Sequence, residues 1–165
     1  MITQEILKTL VHYNPDTGIF TAIGPTRGGI VEGTILGSKD KKGYLLIMLL
    51  NKRYKAHRLA YLYMLGRFPH NLVDHKDRNK TNNKWNNIRE ASDSENQQNK
   101  IEAQSNNESS GLLGVSYSAK LGRYRARIQI NHVVHYLGLF KTAQEAHAKY
   151  LEAKLNLHPF YEAVA

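Results

Sequence analysis

The sequence predicts an α+β protein in two parts, and three features predict it. Between about residues 72 and 100 a short apolar run, a polar loop, a second short run and a helix signal follow one another. From Gly111 onward three strand-like runs precede one amphipathic helix. Between them "IEAQSNNESS", residues 101–110, lacks core-forming side chains and reads as a linker. The expected division is 1–100, linker 101–110 and a small domain over 111–165, close to the lower size limit for independent folding.

In chain order, residues 3–11 read as a helix with Ile6, Leu7, Leu10 and Val11 on one side. "NPDTGIF" supplies a turn that Gly18 ends before a strand. Residues 22–42 are rich in Gly and Lys and read as loops between short strands. "GYLLIMLLNKRYKAH" reads as two strands folded at Asn51-Lys52. "RLAYLYMLG" has helical period and a stop at Gly66. "NLVDH" is a strand, Ile88–Ala91 the returning strand, and Ser92-x-x-Glu95 the start of a helix. In the second part "LLGVSYS", "RYRARIQI" and "VVHYLGLF" are strands, parted by "AKLG" and "NH", and "TAQEAHAKYLEAKLNL" is the helix.

Composition narrows the function. The 165 residues carry 23 Lys and Arg against 14 Asp and Glu, a net charge of +9, which points to a polyanionic partner such as nucleic acid. The absence of cysteine excludes disulfides, cysteine nucleophiles and Cys-ligated zinc and fits a reducing compartment. The N-terminus lacks a signal-peptide pattern, and the longest apolar run, residues 44–50, is too short to span a bilayer. A soluble, cytoplasmic protein without membrane or small-molecule partners is expected.

The first candidate site lies in "DHKDRNKTNNKWNNIREASDSEN". A strand ending at Asp74-His75, a returning strand and a helix carrying Asn96 bring a carboxylate oxygen and an amide oxygen toward one point, with an imidazole alongside. Such oxygen donors suit Mg²⁺ or Mn²⁺, which retain waters and accept phosphate oxygens. A neutral histidine is a suitable base for a water attacking phosphorus. Neighbouring residues of a flat strand face opposite ways, so the strand must twist or end at this point. His57, at the start of a helix, reads as a residue that packs or supports the site from behind rather than a catalytic one.

The second candidate site is basic. Between Gly111 and Lys141 stand Lys120, Arg123, Arg125, Arg127 and Lys141, with no acid. Arg123, Arg125 and Arg127 alternate along one strand and share a face, which Gln129 and either His135 or Tyr136 extend. Arginines so arranged can meet phosphates or guanine edges. Tyr117 is grouped with them as a candidate DNA contact.

These residues resemble two families. Val73–Asn99, with the flank "AHRLAYLYMLGRFP", resembles the ββα-metal motif of HNH endonucleases of the phage and homing kind. The resemblance implies His75 as general base, Asp74 and Asn96 as ligands of Mg²⁺ or Mn²⁺, and Asn87 as the catalytic-motif residue that pins the loop. It also implies products with 5′-phosphate and 3′-hydroxyl ends. Arg78 and Lys80, with Lys76 and Lys84, are expected on the DNA backbone. "GVSYSAKLGRYRARI", "HYLGLFKTAQEAHAKY" and "LHPFYEA" resemble the plant ethylene-response-factor type of DNA-binding domain. The joint expectation is a site-preferring, metal-dependent endonuclease of double-stranded DNA, virus-encoded and acting in a bacterial host. The alternative is a non-catalytic DNA-binding regulator on a nuclease scaffold.

Overall fold

The structure is a computed structural model and describes residues 2–24, 31–103 and 107–162. Residues 25–30, within the expected loop region, and 104–106, within the expected linker, lie outside the described residues. The protein is α+β and divides into two compact units, Met1–Ser92 and Asp93–Ala165.

The first unit opens with helix α1 (Gln4–Leu10), capped by the Thr3 hydroxyl, which accepts from the Ile6 amide. Strands β1 (Val11–Asn14) and β2 (Ile19–Ala22) form a hairpin, to which β3 (Ile35–Leu36) adds an edge. A second sheet has the order β4 (Ser38–Lys39), β5 (Leu45–Leu49), β6 (Lys52–Lys55). The β5–β6 turn falls on Leu50-Asn51, one residue before the expected position, because both take positive φ (51° and 61°) as a two-residue primed turn requires. Helix α2 (Ala56–Leu65) follows and stops at left-handed Gly66. Gln4 Nε2 donates to the Tyr63 carbonyl at 2.7 Å and ties α1 to α2. Leu7, Val11, Tyr13, Phe20, Ile47, Leu59 and Ala60 are buried in one core with Ile88. Ile6, expected on the inner side of α1, is instead 41% exposed.

Strands β7 (Leu72–His75) and β8 (Ile88–Ala91) pair antiparallel, with Asp74 opposite Arg89 and His75 opposite Ile88. The hairpin β1–β2 sits directly on the loop between them. The Tyr13 hydroxyl donates to the Asn83 carbonyl at 2.7 Å, and the Trp85 amide donates to Pro15 O at 2.8 Å. Gly18 makes that approach possible. Its φ is +73°, and a Cβ there would stand 2.4 Å from both the Asn83 carbonyl carbon and the Lys84 nitrogen.

The second unit begins with α3 (Asp93–Gln98), directly after Ser92. It continues through β9 (Val115–Ser118), β10 (Arg123–Ile130), β11 (Val133–Phe140) and α4 (Ala143–Leu157). The sheet order is β11-β10-β9, all antiparallel, and α4 packs on one face. Thr142 and Glu145 form a full capping box at the start of α4. Gly114 lets the Tyr150 ring come within 2.0 Å of where a Cβ would stand, locking helix to sheet.

Residues 107–110 of the expected linker are built into this unit. Asn107 Nδ2 donates to the carbonyls of Leu112 and Val115, and the Ser110 hydroxyl donates to Val115 O at 2.8 Å. The stretch after α3 is also fastened here. Buried Lys154 donates to the Lys100 carbonyl and lies over the Tyr161 ring at 4.6 Å, while Asn99 Oδ1 accepts from the Glu162 amide. No helix among the described residues is long and apolar enough to cross a membrane.

Candidate nuclease site and basic sheet

Strand β7 ends at His75, so the chain leaves the sheet where the sequence requires two neighbouring side chains to be used. Asp74 and His75 are both buried, at 6% and 4% exposure. Arg89, directly across the ladder, grips one oxygen of Asp74 twice, with Nε at 3.0 Å and a terminal nitrogen at 2.9 Å from Oδ2. This charge-assisted pair fixes the carboxylate rotamer.

His75 Nε2 lies 3.1 Å from Asn83 Oδ1. The Asn83 amide is oriented by its own Nδ2, which donates to the Thr81 carbonyl at 3.2 Å. An amide oxygen only accepts, so the neutral ring carries its proton on Nε2 and Nδ1 is the basic nitrogen. Burial lowers the pKa of His75, and the Asn83 hydrogen bond and the charges of Asp77 and Asp74 oppose that only in part. The neutral imidazole is therefore the stable form near pH 7.

The loop after His75 is organised around Asp77 and Asn87. Asn87 accepts from the Asp77 amide at 3.1 Å and donates to Asp77 Oδ1 at 2.9 Å and to the Asn82 carbonyl at 2.8 Å. Asn82 donates to the other Asp77 oxygen at 2.6 Å. The Arg78 amide closes the turn on His75 O at 2.8 Å, with Arg78 itself at φ 63°. Asn87 thus touches the loop backbone rather than the His75 ring among its described hydrogen bonds. Lys80 is partly committed to structure, donating to the Lys42 carbonyl at 2.9 Å and lying over the Tyr44 ring at 5.2 Å.

The layer beneath His75 gives His57 a supporting place, with partners that the sequence did not name. His57, 4% exposed, meets the His75 ring edge-to-face at 5.2 Å, and Tyr44 meets His57 at 5.3 Å. Burial pushes the His57 pKa down to about 3, helped by the neighbouring His75, and its buried Nδ1 has no hydrogen-bond partner among the described residues. Only the adjacency of His57 to Arg58 at a helix start marked it in sequence. Asn83 was hidden in a run of asparagines.

Asn96 lies on α3, half-buried, in the second compact unit. Asp74 carries an anionic oxygen donor and Asn96, in the other unit, a neutral one; each is of the hard kind that Mg²⁺ or Mn²⁺ accepts. Among the described residues no group of three or more His, Cys, Asp or Glu side chains could hold a metal, so a closed zinc site does not fit.

On the second unit, Arg123, Arg125, Arg127 and Gln129 occupy alternating positions of β10, while Ala126 and Ile128 are buried toward α4. Among the described residues no ion pair ties down these three arginines. Lys120 is exposed in the β9–β10 turn. Tyr117 does not join the arginine face. It pairs across the ladder with Tyr124, rings 5.0 Å apart, on the helix side of the sheet.

Three comparisons bear on this arrangement. Residues 54–98 match the family model described as HNH endonuclease. The chain is similar to the solved structure titled "DNA binding and cleavage by the HNH homing endonuclease I-HmuI", with 28% sequence identity and a TM-score of 0.41. That similarity covers 55% of this chain and 51% of that one, about half the length of its relative. No curated protein matches the chain. The family match takes in β7, β8 and α3, so its residues fall in both compact units. The matched segment, residues 54–98, is similar to the HNH endonuclease family model and contains Asp74, His75, Asn87 and Asn96.

Proposed function

We propose that this protein is a metal-dependent endonuclease of double-stranded DNA, of the phage or homing HNH kind, in which the C-terminal sheet contributes site preference. The observation that carries the proposal is His75: buried, neutral, with Nε2 directed at Asn83 Oδ1, inside the segment that matches the HNH family. A base for phosphodiester hydrolysis must be unprotonated at working pH and present one fixed nitrogen. In this reading Nδ1 of His75 is that nitrogen and takes the proton of the attacking water. Asp74, its rotamer fixed by Arg89, and Asn96 would hold the cation, Mg²⁺ or Mn²⁺. When bound, such a cation stabilises charge on the leaving 3′ oxygen. Asn87 and Asp77 keep the loop after His75 in one conformation, so the base does not wander. The products would carry 5′-phosphate and 3′-hydroxyl ends.

Arg123, Arg125 and Arg127 would meet duplex DNA from β10, with Gln129 beyond them and Lys120 on the adjoining turn. Arg78 would approach the backbone from the nuclease loop, as would Lys80 on leaving the Lys42 carbonyl. The fold of the second unit, three antiparallel strands on one helix, supports a resemblance to the ethylene-response-factor type of domain. The rival reading is a DNA-binding regulator that never cuts. Incubation of supercoiled plasmid with the full chain in Mg²⁺, in Mn²⁺ and in EDTA separates them. Metal-dependent nicking supports the nuclease; tight binding with intact plasmid in every condition supports the regulator.

A further inference from the structure

The face of the C-terminal sheet turned away from α4 is not simply basic. Three of the four polar side chains on this face of the central strand have an apolar one directly opposite on β11: Arg125 faces Leu139, Arg127 faces Tyr136 and Gln129 faces Val134. These three apolar residues are 41%, 59% and 56% exposed. Directly opposed side chains on a sheet start roughly 5 Å apart. A solvated sheet face has no reason to alternate arginine with bare aliphatic and aromatic groups in register. An occupant with charge and hydrogen-bond acceptors beside small apolar groups does account for it.

We infer that this face reads thymine as well as guanine, with Leu139, Tyr136 and Val134 packing on the C5-methyl groups of thymines in the major groove. The inference rests on the proposed binding of duplex DNA by the sheet. In that groove the thymine methyl is the apolar group presented among acceptors and donors, and it distinguishes A·T from the other pairs. Arginine matches guanine O6 and N7, and glutamine matches adenine N6 and N7. In an A·T pair the methyl lies on the same groove edge as adenine N7, an acceptor, and N6, a donor. The Gln129–Val134 couple therefore suits a single A·T pair. The Arg127–Tyr136 and Arg125–Leu139 couples suit guanine beside thymine.

The test compares two pools of duplexes with the same randomised core, one made with thymine and one with uracil, which differs only by the methyl. Binding of the full chain is measured in EDTA, with wild type, Arg127→Ala and the triple variant Val134→Thr, Tyr136→Thr, Leu139→Thr. Threonine suits strands, and circular dichroism checks that the fold is retained. Burying one methyl-sized group strengthens binding about fourfold, so three contacts give up to about sixtyfold. The expected result is tighter binding of the thymine pool by wild type and near-equal binding of both pools by the triple variant. Equal binding of both pools by wild type, with Arg127→Ala still weakening it, overturns the methyl contacts and leaves DNA binding by the sheet intact. A thymine preference that survives in the triple variant also overturns them. Failure to bind either pool, or binding indifferent to Arg127→Ala, removes the DNA reading of the sheet itself. If the apolar row instead serves a second copy of the chain, wild type dimerises without DNA, the triple variant does not, and the pools bind alike.

Discussion

Replacing His57 with Phe should remove much of the acid sensitivity of the first unit. His57 is buried at 4% exposure against His75 and Tyr44, and burial holds its folded pKa at about 3. In the unfolded chain a histidine titrates near its ordinary value of about 6.5. Below that value the unfolded chain binds a proton that the folded chain refuses, so stability falls as pH falls. The loss begins near 6.5, grows by about 1.4 kcal/mol per pH unit and levels off below about 3. At pH 5 this amounts to about 2 kcal/mol. The assay is urea unfolding at pH 7.5 and pH 5, followed by the fluorescence of Trp85. That residue is the single tryptophan of the chain, and it packs on Tyr61 at 5.0 Å. Wild type should lose about 2 kcal/mol more between the two pH values than His57→Phe does. Parallel losses in the two proteins would refute a neutral, buried His57.

Other predictions bear on the site. Asn83→Ala leaves the buried Nε2–H of His75 without its acceptor and should cost about 1–3 kcal/mol of stability. Because the Asn83 hydrogen bond raises the His75 pKa, its loss should also move the acid limb of the pH–rate profile to lower pH, while DNA affinity stays unchanged in gel shifts. In wild type, cleavage should hold its plateau somewhat below pH 6.5, since a base with a lowered pKa stays unprotonated there. Asp74→Ala and Asn96→Ala should both lose plasmid cleavage, with Mn²⁺ partly restoring only the latter, which keeps the anionic ligand. Gly18→Ala forces a Cβ against Asn83 and Lys84 at positive φ, and should lower the unfolding midpoint of the first unit along with the proposed cleavage.

Most strands, and the helix after β8, were legible because turn formers bound them. Asp74, His75 and Ile88–Ala91 stand where "NLVDH" and "NNIREAS" placed them. What could not be read depends on contacts between distant residues. The role of Asn83 follows from its side chain on His75 and from its carbonyl on Tyr13, seventy positions away. In sequence it is one asparagine of several. Arg89 owes its grip on Asp74 to the register of the β7–β8 ladder, which periodicity does not specify. The pairing of Tyr117 with Tyr124, which sets it on the helix side of the sheet, likewise follows from the ladder register and not from the sequence. The arginine alternation, by contrast, needs only the period of a strand, and Arg123, Arg125 and Arg127 share a face as that period demands. The stretch 107–110 looked like a linker because its hydrogen bonds use side chains that are equally common in loops.

The central claim is that His75 is the base of a metal-dependent hydrolysis of DNA. Its most direct test is single-turnover cleavage of duplex DNA by wild type and His75→Ala side by side, with the ends of the products mapped. General-base catalysis contributes on the order of 10²–10⁴ in rate. The account predicts a loss of that size in His75→Ala with binding intact, and 5′-phosphate and 3′-hydroxyl ends on the wild-type products. Cleavage by His75→Ala at the wild-type rate would contradict it.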